Sequence, residues 1–308
     1  MGCAMRNIVI WLKAARIQLH TLGTLPVLVG SLAASSETGD FSPIRFILAE
    51  AIVLFVLIAT AFANDCADVE TDRINKNFNI FSGGSGAITG GLISRQEMLN
   101  ATKIASLAAV ATSVLSSAFF RMHSSTIVMT LIGLFIGIEY SLPPLKINWR
   151  GSGESFVMVM YSVFCVYFGY LSQRGALFSL KILSLSVPLA ITAFLAILIT
   201  EIPDCESDAL SGKKTIPAVF GKETAFLVYI MGIIALYLTV LILHLFGAIS
   251  GGALSGIMFS SPLGVSAIVL SLRKDRDTLK NLFMLCGLTM TLCVWTGAAL
   301  SVNLALGR

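Results

Sequence analysis

Residues 51–72 read AIVLFVLIATAFANDCADVETD, an unbroken apolar run that ends in a row of acidic side chains. Together with the apolar residues before it, this run is long enough to cross a bilayer, which requires about 20 apolar residues in a helix. Carboxylates are costly inside the hydrocarbon region, so they are expected where the helix reaches the water boundary. The segment therefore predicts a membrane helix that ends near residue 63 and brings acidic groups to one membrane surface.

The composition of the whole chain also indicates a membrane protein. Of the 308 residues, 56% are hydrophobic and 12% are charged, and the mean hydropathy is +0.87, whereas a soluble domain carries roughly 25% charged residues. These values exclude soluble, disordered, collagen-like and disulfide-scaffold proteins. The net charge of +4 is too small to indicate a nucleic-acid partner. The six cysteines include no CxxC pair and are interpreted as small buried apolar residues.

Apolar runs bounded by glycine, proline or charged residues recur along the chain. They predict an all-α polytopic membrane protein, with nine transmembrane helices in a bundle around a central cavity, and a single integral-membrane domain over residues 1–308. The predicted spans cover residues 17–35, 44–63, 104–120, 125–143, 155–172, 180–200, 224–246, 248–271 and 281–304.

The distribution of basic residues predicts the orientation in the membrane. Cytoplasmic loops are enriched in Lys and Arg, and in a nine-span arrangement most of the 21 basic residues fall on the side of the N-terminus. The N-terminus and the loops after spans two, four, six and eight are therefore predicted to be cytoplasmic. Most of the 17 acidic residues fall on the same side, which the rule for basic residues does not require. The opposite side holds only five basic residues, which are Arg45, Arg121, Arg174, Lys181 and Arg308.

The first acidic motif covers residues 64–72, with the sequence NDCADVETD. If the second span continues as a helix through this motif, Asp65, Asp68 and Asp72 lie at positions i, i+3 and i+7 and share one face. Asn64 lies one turn before Asp68 and joins the same face. The pattern predicts three carboxylates and an amide directed to one side of a helix end.

A second acidic motif, EIPDCESD at residues 201–208, closes the sixth span. Matching acidic positions in register suggest an internal repeat, so we predict two pseudo-repeats, about 1–143 and 144–308, that bring their acidic helix ends to the same membrane face. A shift of 136 residues pairs Asp65 with Glu201, Asp68 with Asp204, Glu70 with Glu206 and Asp72 with Asp208.

Two facing rows of carboxylates predict a metal site. Carboxylates on one face repel one another, and desolvation at a membrane-embedded helix end adds to the cost. Mg²⁺ prefers such oxygen ligands and binds substrate phosphates at the same time, so a metal-bridged diphosphate is the expected occupant. One motif alone would be more typical of a solvated helix end, but two matched copies favour a site. No histidine lies in either motif, which disfavours zinc.

Basic residues follow both motifs and suit phosphate oxygens. Arg73 and Lys76 follow the first motif, and Lys213 and Lys214 follow the second. The sequence FSGGSG at residues 81–86 could form a backbone anion nest, although a flexible turn explains it better from spacing alone.

The fourth span ends at two prolines, which stop a helix. Tyr140, Ser141 and Lys146 are left at this end as hydrogen-bond donors for a phosphate. An interfacial tyrosine with a snorkelling lysine explains the same residues about equally well.

With these motifs, the sequence resembles the UbiA superfamily of intramembrane prenyltransferases. The resemblance rests on NDxxDxxxD at residues 64–72, DxxxD at 204–208, YSxPPxK at 140–146 and GKKT at 212–215. It covers nearly the whole chain, because the order of the motifs and the predicted span count agree. The segment at residues 81–86 is more similar to the dihydroxynaphthoate, or menaquinone, branch than to the hydroxybenzoate, or ubiquinone, branch.

The resemblance implies a Mg²⁺-dependent enzyme that transfers an isoprenoid chain from a polyprenyl diphosphate to an aromatic acceptor such as dihydroxynaphthoate, in quinone biosynthesis. Asp68, Asp72, Asp204 and Asp208 are the implied catalytic residues. The implied metal ligands are Asn64, Asp65, Asp68, Asp72, Asp204 and Asp208, and the implied substrate-binding residues are Arg16, Arg73, Tyr140, Ser141, Lys146 and Lys213.

Arg16 is an intramembrane cation near the predicted site. An acceptor carboxylate or the diphosphate is its expected partner. A role as an interfacial anchor is equally compatible with the sequence.

Three other functions are compatible with parts of the sequence. A secondary transporter with a cytoplasmic acidic gate would have its site at the bilayer midplane, where this chain has only apolar residues, so the enzyme is favoured. Prenyl transfer to a non-aromatic lipid alcohol would keep the diphosphate half of the site. A non-catalytic scaffold would leave the costly acidic rows unexplained.

Overall fold

The computed structural model describes residues 3–17, 20–75, 81, 84–173, 175 and 179–307. Every regular element within these ranges is helical. The α-helices, in chain order, are α1 (Cys3–Ala14), α2 (Thr21–Thr38), α3 (Pro43–Ala67), α4 (Val69–Ile74), α5 (Arg95–Phe120), α6 (Ser125–Glu139), α7 (Gly153–Val159), α8 (Cys165–Ser172), α9 (Leu180–Glu201), α10 (Cys205–Ser211), α11 (Ile216–Leu245), α12 (Gly251–Met258), α13 (Ser261–Ser271) and α14 (Leu279–Leu306).

Seven helical segments are long and apolar enough to cross a membrane, which makes the chain an integral membrane protein. The predicted total of nine spans is not confirmed in the described parts of the chain, because α2 lacks a sufficiently apolar stretch and α6 has only 15 residues. The seven segments are Pro43–Ala67, Arg95–Phe120, Gly153–Ser172, Leu180–Glu201, Ile216–Leu245, Gly251–Ser271 and Leu279–Leu306.

Large apolar side chains cover the outer faces of the long helices. Leu107 on α5 and Leu238 on α11 are 70% and 54% exposed, and Val302 on α14 is 56% exposed. Exposed apolar surface of this extent is unfavourable in water but matches the hydrocarbon region of a bilayer. The outer surface of the bundle therefore faces lipid.

Helix α2 lies inside the bundle, against α8 and α14. Its contact with α8 depends on glycine at two positions. A Cβ atom on Gly30 would lie 1.8 Å from the backbone oxygen of Val166, and one on Gly169 would lie 2.0 Å from that of Val27. Ser31 Oγ also donates a hydrogen bond to the Gly169 oxygen at 3.2 Å. Small residues let membrane helices approach this closely, and enclosure by neighbours explains why α2 needs less apolar sequence.

The Gly169→Ala variant is expected to destabilise the protein, because a methyl group would meet backbone atoms that cannot move unless α2 and α8 separate. Overpacking of this kind costs about 1–3 kcal/mol. The matched control is Gly287→Ala on α14, where a Cβ atom meets nothing within 4 Å. Thermal unfolding of the detergent-solubilised variants should show a clear decrease in Tm for Gly169→Ala alone. Equal Tm values for the two variants would contradict the assigned contact.

Both acidic motifs lie where a long apolar helix ends and a short helix begins. Helix α3 ends at Ala67 and α4 follows Asp68, while α9 ends at Glu201 and α10 follows Asp204. The short helices α4 and α10 pack against each other. This contact brings both motifs to the same end of the bundle, as the sequence predicted. That this end is cytoplasmic stays a prediction.

Candidate active site

The two acidic motifs meet at one end of a long cavity. Asn75 Nδ2 donates to Asp204 Oδ1 at 2.7 Å and so connects the residue after α4 to the start of α10. Lys213 Nζ donates to Asp68 Oδ2 at 3.2 Å and lies 3.8 Å from Asp208 Oδ1. One ammonium group therefore contacts carboxylates of both motifs, which are close enough to share a single ligand.

The helix does not continue through the first motif. The backbone at Asp68 has φ −94° and ψ 12°, which breaks the predicted common face. Asp68 and Asp72 line the cavity, whereas Asp65 does not. Asp65 Oδ1 accepts hydrogen bonds from Arg16 at 2.7 Å and from the Ser85 amide at 3.3 Å, and Oδ2 accepts one from the Ser85 hydroxyl. Asp65 thus anchors Arg16, and this role differs from the metal-ligand role predicted from the sequence.

A close glycine approach shapes the site around Asp72. Gly84 has φ +73°, and a Cβ atom there would lie 1.9 Å from Asp72 Oδ2. The neighbouring Thr71 lines the cavity, and its buried Oγ1 has no hydrogen-bond partner in the described chain. Gly84 therefore makes room for the carboxylate, and Thr71 offers a free donor to a ligand.

The carboxyl groups at this end have too few neighbouring cations to offset the cost of burying their negative charge. Burial and the nearby Asp68 carboxylate raise the pKa of Asp72 to about 7. Burial raises the pKa of Asp208 to about 6, although Lys213 acts in the opposite direction. Burial by itself would lower the pKa of Lys213, but Asp68 and Asp208 raise it above its ordinary value. A divalent cation would favour the charged carboxylates.

Tyr140 and Ser141, which follow α6, have different positions. Tyr140 lines the cavity, as does Arg16. Ser141 is fully buried, and its Oγ donates to Asn64 Oδ1 at 2.8 Å. Asn64 lines the cavity, whereas Ser141 does not. Ser141 therefore orients Asn64 instead of contacting a ligand itself.

Lys146 and Arg73, both predicted to bind the diphosphate, do not line the cavity. Lys146 Nζ lies 4.3 Å from the ring centroid of Trp149, and Trp149 Nε1 donates to Asp68 Oδ1 at 3.3 Å. The Arg73 side chain is 58% exposed and forms an ion pair with Glu70 at 3.0 Å. Lys146 therefore supports Asp68 through Trp149, and Arg73 faces away from the site.

The remaining residues predicted to contact phosphate are Lys76, Lys214 and the segment at residues 81–86. Lys76, Ser82 and Gly83 lie outside the described residues. Phe81 lines the cavity. Lys214, which follows Lys213 in the sequence, is exposed and does not line the cavity.

Beyond its acidic end the cavity is apolar and runs along α3, between α6, α8 and α9. The apolar lining residues of α3 extend from Ala61 to Ile52, a distance of about 14 Å at the helical rise per residue. The apolar lining includes Ile52, Val53, Val56, Leu57, Gly133, Ile136, Phe164, Phe168, Ala193, Ala196 and Ile197.

Sequence reasoning missed five residues at the polar end, which are Thr71, Asn75, Asn148, Trp149 and Glu201. Thr71 and Asn75 lie within a turn of the acidic residues, and Glu201 matched Asp65 in the repeat register, so signals for these three were present. Asn148 and Trp149 belong to a short 3-10 helix, Ile147–Trp149, that only the tertiary structure brings to the site.

A metal ion at this end would need oxygen ligands from both motifs together with a substrate phosphate between them. In the described ranges, no three His, Cys, Asp or Glu side chains are close enough to form a metal site by themselves. Asp68, Asp72, Asp204 and Asp208 instead line one cavity from two helix ends. This donor set fits Mg²⁺, which takes a few carboxylates and completes its shell with water and substrate phosphates.

Comparison with known proteins gives a consistent result. The model of the UbiA prenyltransferase family matches residues 24–302. The chain is 24% identical over 307 residues to the chloroplastic 2-carboxy-1,4-naphthoquinone phytyltransferase of Arabidopsis thaliana, covering 97% of this chain and 77% of that protein. It is 25% identical over 232 residues to the 2-carboxy-1,4-naphthoquinone phytyltransferase of a Synechocystis species, covering 74% of this chain and 72% of that protein.

Solved structures share the fold. The apo structure of a UbiA homologue from Aeropyrum pernix has a TM-score of 0.70 and 18% identity, covering 92% of this chain and 98% of that one. A UbiA homologue from Archaeoglobus fulgidus, bound to DMAPP and Mg²⁺, has a TM-score of 0.63 and 18% identity, covering 95% and 99%. The same homologue has also been solved with GPP and Mg²⁺ and with Cd²⁺.

Proposed function

The chain belongs to the UbiA prenyltransferase family, and from this premise we propose that it transfers a long isoprenoid chain from its diphosphate to a naphthoate- or naphthoquinone-type aromatic acceptor. The observation that carries the proposal is the division of one cavity into an acidic end, bridged by Lys213, and an apolar part that extends about 14 Å along α3, from Ala61 to Ile52. A diphosphate on an apolar tail has the same division. The naphthoquinone phytyltransferase relatives support this donor and acceptor class.

The acidic end has the residues to hold Mg²⁺. Asp68, Asp72, Asp204 and Asp208 would hold the ion, with Asn64 beside them. When bound, Mg²⁺ neutralises charge on the departing diphosphate and so favours breaking of the allylic C–O bond.

The side chains of the protein perform the other tasks. Lys213, Arg16 and Tyr140 line the acidic end and donate to the diphosphate oxygens, which stabilises the charge that develops there. The electron pair of the C–O bond leaves with the diphosphate, and a ring carbon of the acceptor forms the new C–C bond. That ring carbon then releases the group it carried, a proton or a carboxyl group as carbon dioxide, which restores the aromatic ring. The apolar walls exclude water, which would otherwise trap the allylic cation.

The Lys213→Gln variant is expected to raise the KM for the prenyl diphosphate by at least about tenfold, because a charge-assisted hydrogen bond to the diphosphate is lost. Its matched control is Lys214→Gln, since Lys214 is exposed and does not line the cavity. Steady-state kinetics with varied donor should separate the two variants. A similar KM for both would remove Lys213 from the donor site.

The proposed reaction is tested directly with purified protein in lipid nanodiscs, Mg²⁺ and phytyl or geranylgeranyl diphosphate. One sample receives 1,4-dihydroxy-2-naphthoate and a second receives a non-aromatic glycerol-phosphate lipid alcohol. We expect mass spectrometry to detect a prenylated aromatic product only in the first sample. Product only in the second would replace the aromatic acceptor by a lipid alcohol. No product in either, with substrate accumulation in proteoliposomes, would favour transport.

A further inference from the structure

Two buried hydrogen-bond acceptors on the cavity wall lack partners in the described chain. Asn148 Oδ1 and Glu201 Oε2 accept no hydrogen bond, and the two residues are only 3% and 7% exposed. Both residues line the cavity. Because an unpaired buried acceptor is costly, these two atoms indicate a ligand that donates hydrogen bonds to them.

The two acceptors belong to one corner of the cavity, next to Tyr140. The Asn148 backbone amide donates to the Tyr140 backbone carbonyl oxygen at 2.9 Å, and a Cβ atom on Gly153 would lie 3.1 Å from both Asn148 Cα and Tyr140 Oη. The carboxylate of Glu201 is close enough to act on the Tyr140 hydroxyl. Asn148, Tyr140 and Glu201 therefore surround the same space.

A neighbouring carboxyl group holds Glu201 in place. Glu154 Oε1 accepts a hydrogen bond from the Ile216 amide at 2.6 Å, which ties the start of α7 to the start of α11. The Glu154 and Glu201 carboxyl groups lie within hydrogen-bonding range of each other. This contact holds the Glu201 carboxyl group, whose Oε2 remains unpaired at the wall.

The two unpaired acceptors do not suit the donor diphosphate and disfavour a further metal ion. Diphosphate oxygens are themselves acceptors, so they gain nothing from Asn148 Oδ1 or Glu201 Oε2. Lys213 is close enough to act on Glu201, so a positive charge is already present and would repel a second cation. The ligand that fits is a neutral group with an O–H bond.

The surrounding wall suits a flat aromatic ring. Phe156 and Met160 line the cavity beside this corner, and Ile197 lines it one turn before Glu201 on α9. The segment Met160–Phe164 forms a π-helical turn, a local widening that occurs frequently at functional sites. Helix α7 packs against α9, so the aromatic and polar walls belong to one pocket.

We propose that Asn148 and Glu201 form the subsite for a hydroxyl group of the aromatic acceptor, with the hydroxyl donating to Glu201 Oε2. The inference rests on the proposed function and adds the residues that recognise the second substrate. A hydrogen bond from a ring hydroxyl to the Glu201 oxygen increases electron density in the ring, which favours attack by a ring carbon. It also fixes the orientation of the ring relative to the diphosphate end.

The test compares the wild type with Glu201→Gln and Asn148→Ala. The control is Glu50→Gln. Glu50 is also a carboxylic acid on a membrane helix, α3, but it does not line the cavity. Equilibrium binding in detergent is measured for 1,4-dihydroxy-2-naphthoate and for its 1,4-dimethoxy analogue, which has no O–H donor on the ring. Both variants are expected to bind the dihydroxy compound at least about tenfold more weakly, while affinity for the dimethoxy analogue stays within about twofold.

The kinetic measurement separates this role from a structural one. The KM for the acceptor should rise in Glu201→Gln, whereas the KM for the prenyl diphosphate should stay near the wild-type value. Equal loss for both naphthalene compounds would show a merely structural role. A changed KM for the donor, or weakening that occurs only when Mg²⁺ is present, would assign Glu201 to the metal and diphosphate end. If Glu201→Gln does not fold, Asn148→Ala decides by the same criteria.

Measurements of binding and turnover together also distinguish the proposed subsite from the proposed function. Hydroxyl-dependent binding by a wild type that forms no prenylated product would support the subsite and reject the proposed function. Product formation with unchanged acceptor affinity in both variants would reject the subsite and keep the function. A wild type that neither binds nor prenylates the naphthoate would reject both.

Discussion

Asp204→Asn and Asp68→Asn are each expected to lower kcat by a hundredfold to about a thousandfold or more, with little change in protein stability. Removing one preorganised group that stabilises developing charge typically costs this much. The two residues come from different motifs, and Asn75 and Lys213 connect these motifs across the cavity. Both replacements keep the size of the side chain and remove a negative oxygen.

The neighbouring acidic residues provide matched controls. Glu70 and Glu206 have side chains that are 81% and 73% exposed, and neither lines the cavity. Glu70→Gln and Glu206→Gln should therefore retain near wild-type kcat. Initial rates at saturating substrates, with thermal unfolding as a check of folding, provide the measurement. Near wild-type activity in both Asp variants would eliminate the proposed metal role of the motifs.

Removal of divalent cations is expected to abolish turnover and to weaken binding of the prenyl diphosphate by at least an order of magnitude. Without a metal ion the diphosphate would face Asp68, Asp72, Asp204 and Asp208, and repulsion between these anions would oppose binding. Direct binding of geranylgeranyl diphosphate is measured after EDTA treatment and dialysis, with and without added Mg²⁺. Donor binding provides a readout that does not depend on the acceptor.

Restoration by Mg²⁺ is the control for nonspecific damage by the chelator. Activity and donor binding should both return when Mg²⁺ is added in excess over EDTA, and Asp204→Asn should require a higher Mg²⁺ concentration for the same donor affinity. Metal-independent transfer, or donor binding that EDTA leaves unchanged, would contradict a divalent ion at the acidic end.

The membrane class and the pairing of the two motifs could be predicted from sequence because both depend on local patterns. Apolar length predicts a helix in a bilayer, and seven such segments are present. The register between Asp68 and Asp204 predicted equivalent positions, and both residues indeed precede a short helix. The two short helices then meet at one end of the bundle.

Roles within the polar end were harder to predict because a charge in the sequence does not specify its partner. Asp65 lies in the same motif as Asp68 but pairs with Arg16 and Ser85, owing to the helix break at Asp68. Lys146 contacts Trp149 and does not line the cavity. At Asp68 the ψ angle of 12° departs from the helical value by about 50°, which redirects the side chains on either side of the break, and no periodic pattern contains that information.

The predicted count of nine spans is not confirmed for a related reason. Hydropathy measures compatibility with lipid, and α2 is surrounded by protein on several sides, with Gly30 and Gly169 permitting close contact with α8. Such a helix does not need an apolar surface around its whole circumference. Its place in the bundle therefore depends on its neighbours.

By itself, the sequence determined that this chain is an apolar helical protein with two equivalent acidic helix ends, because hydrophobic length and the register of charges are properties of neighbouring residues. Only the tertiary structure decided which oxygens line the cavity, which cations are already paired, and that Asn148 and Glu201 leave two acceptors unpaired at its wall. These features arise from contacts between residues far apart in the chain, where burial and geometry determine whether a polar atom finds a partner or remains available to a substrate.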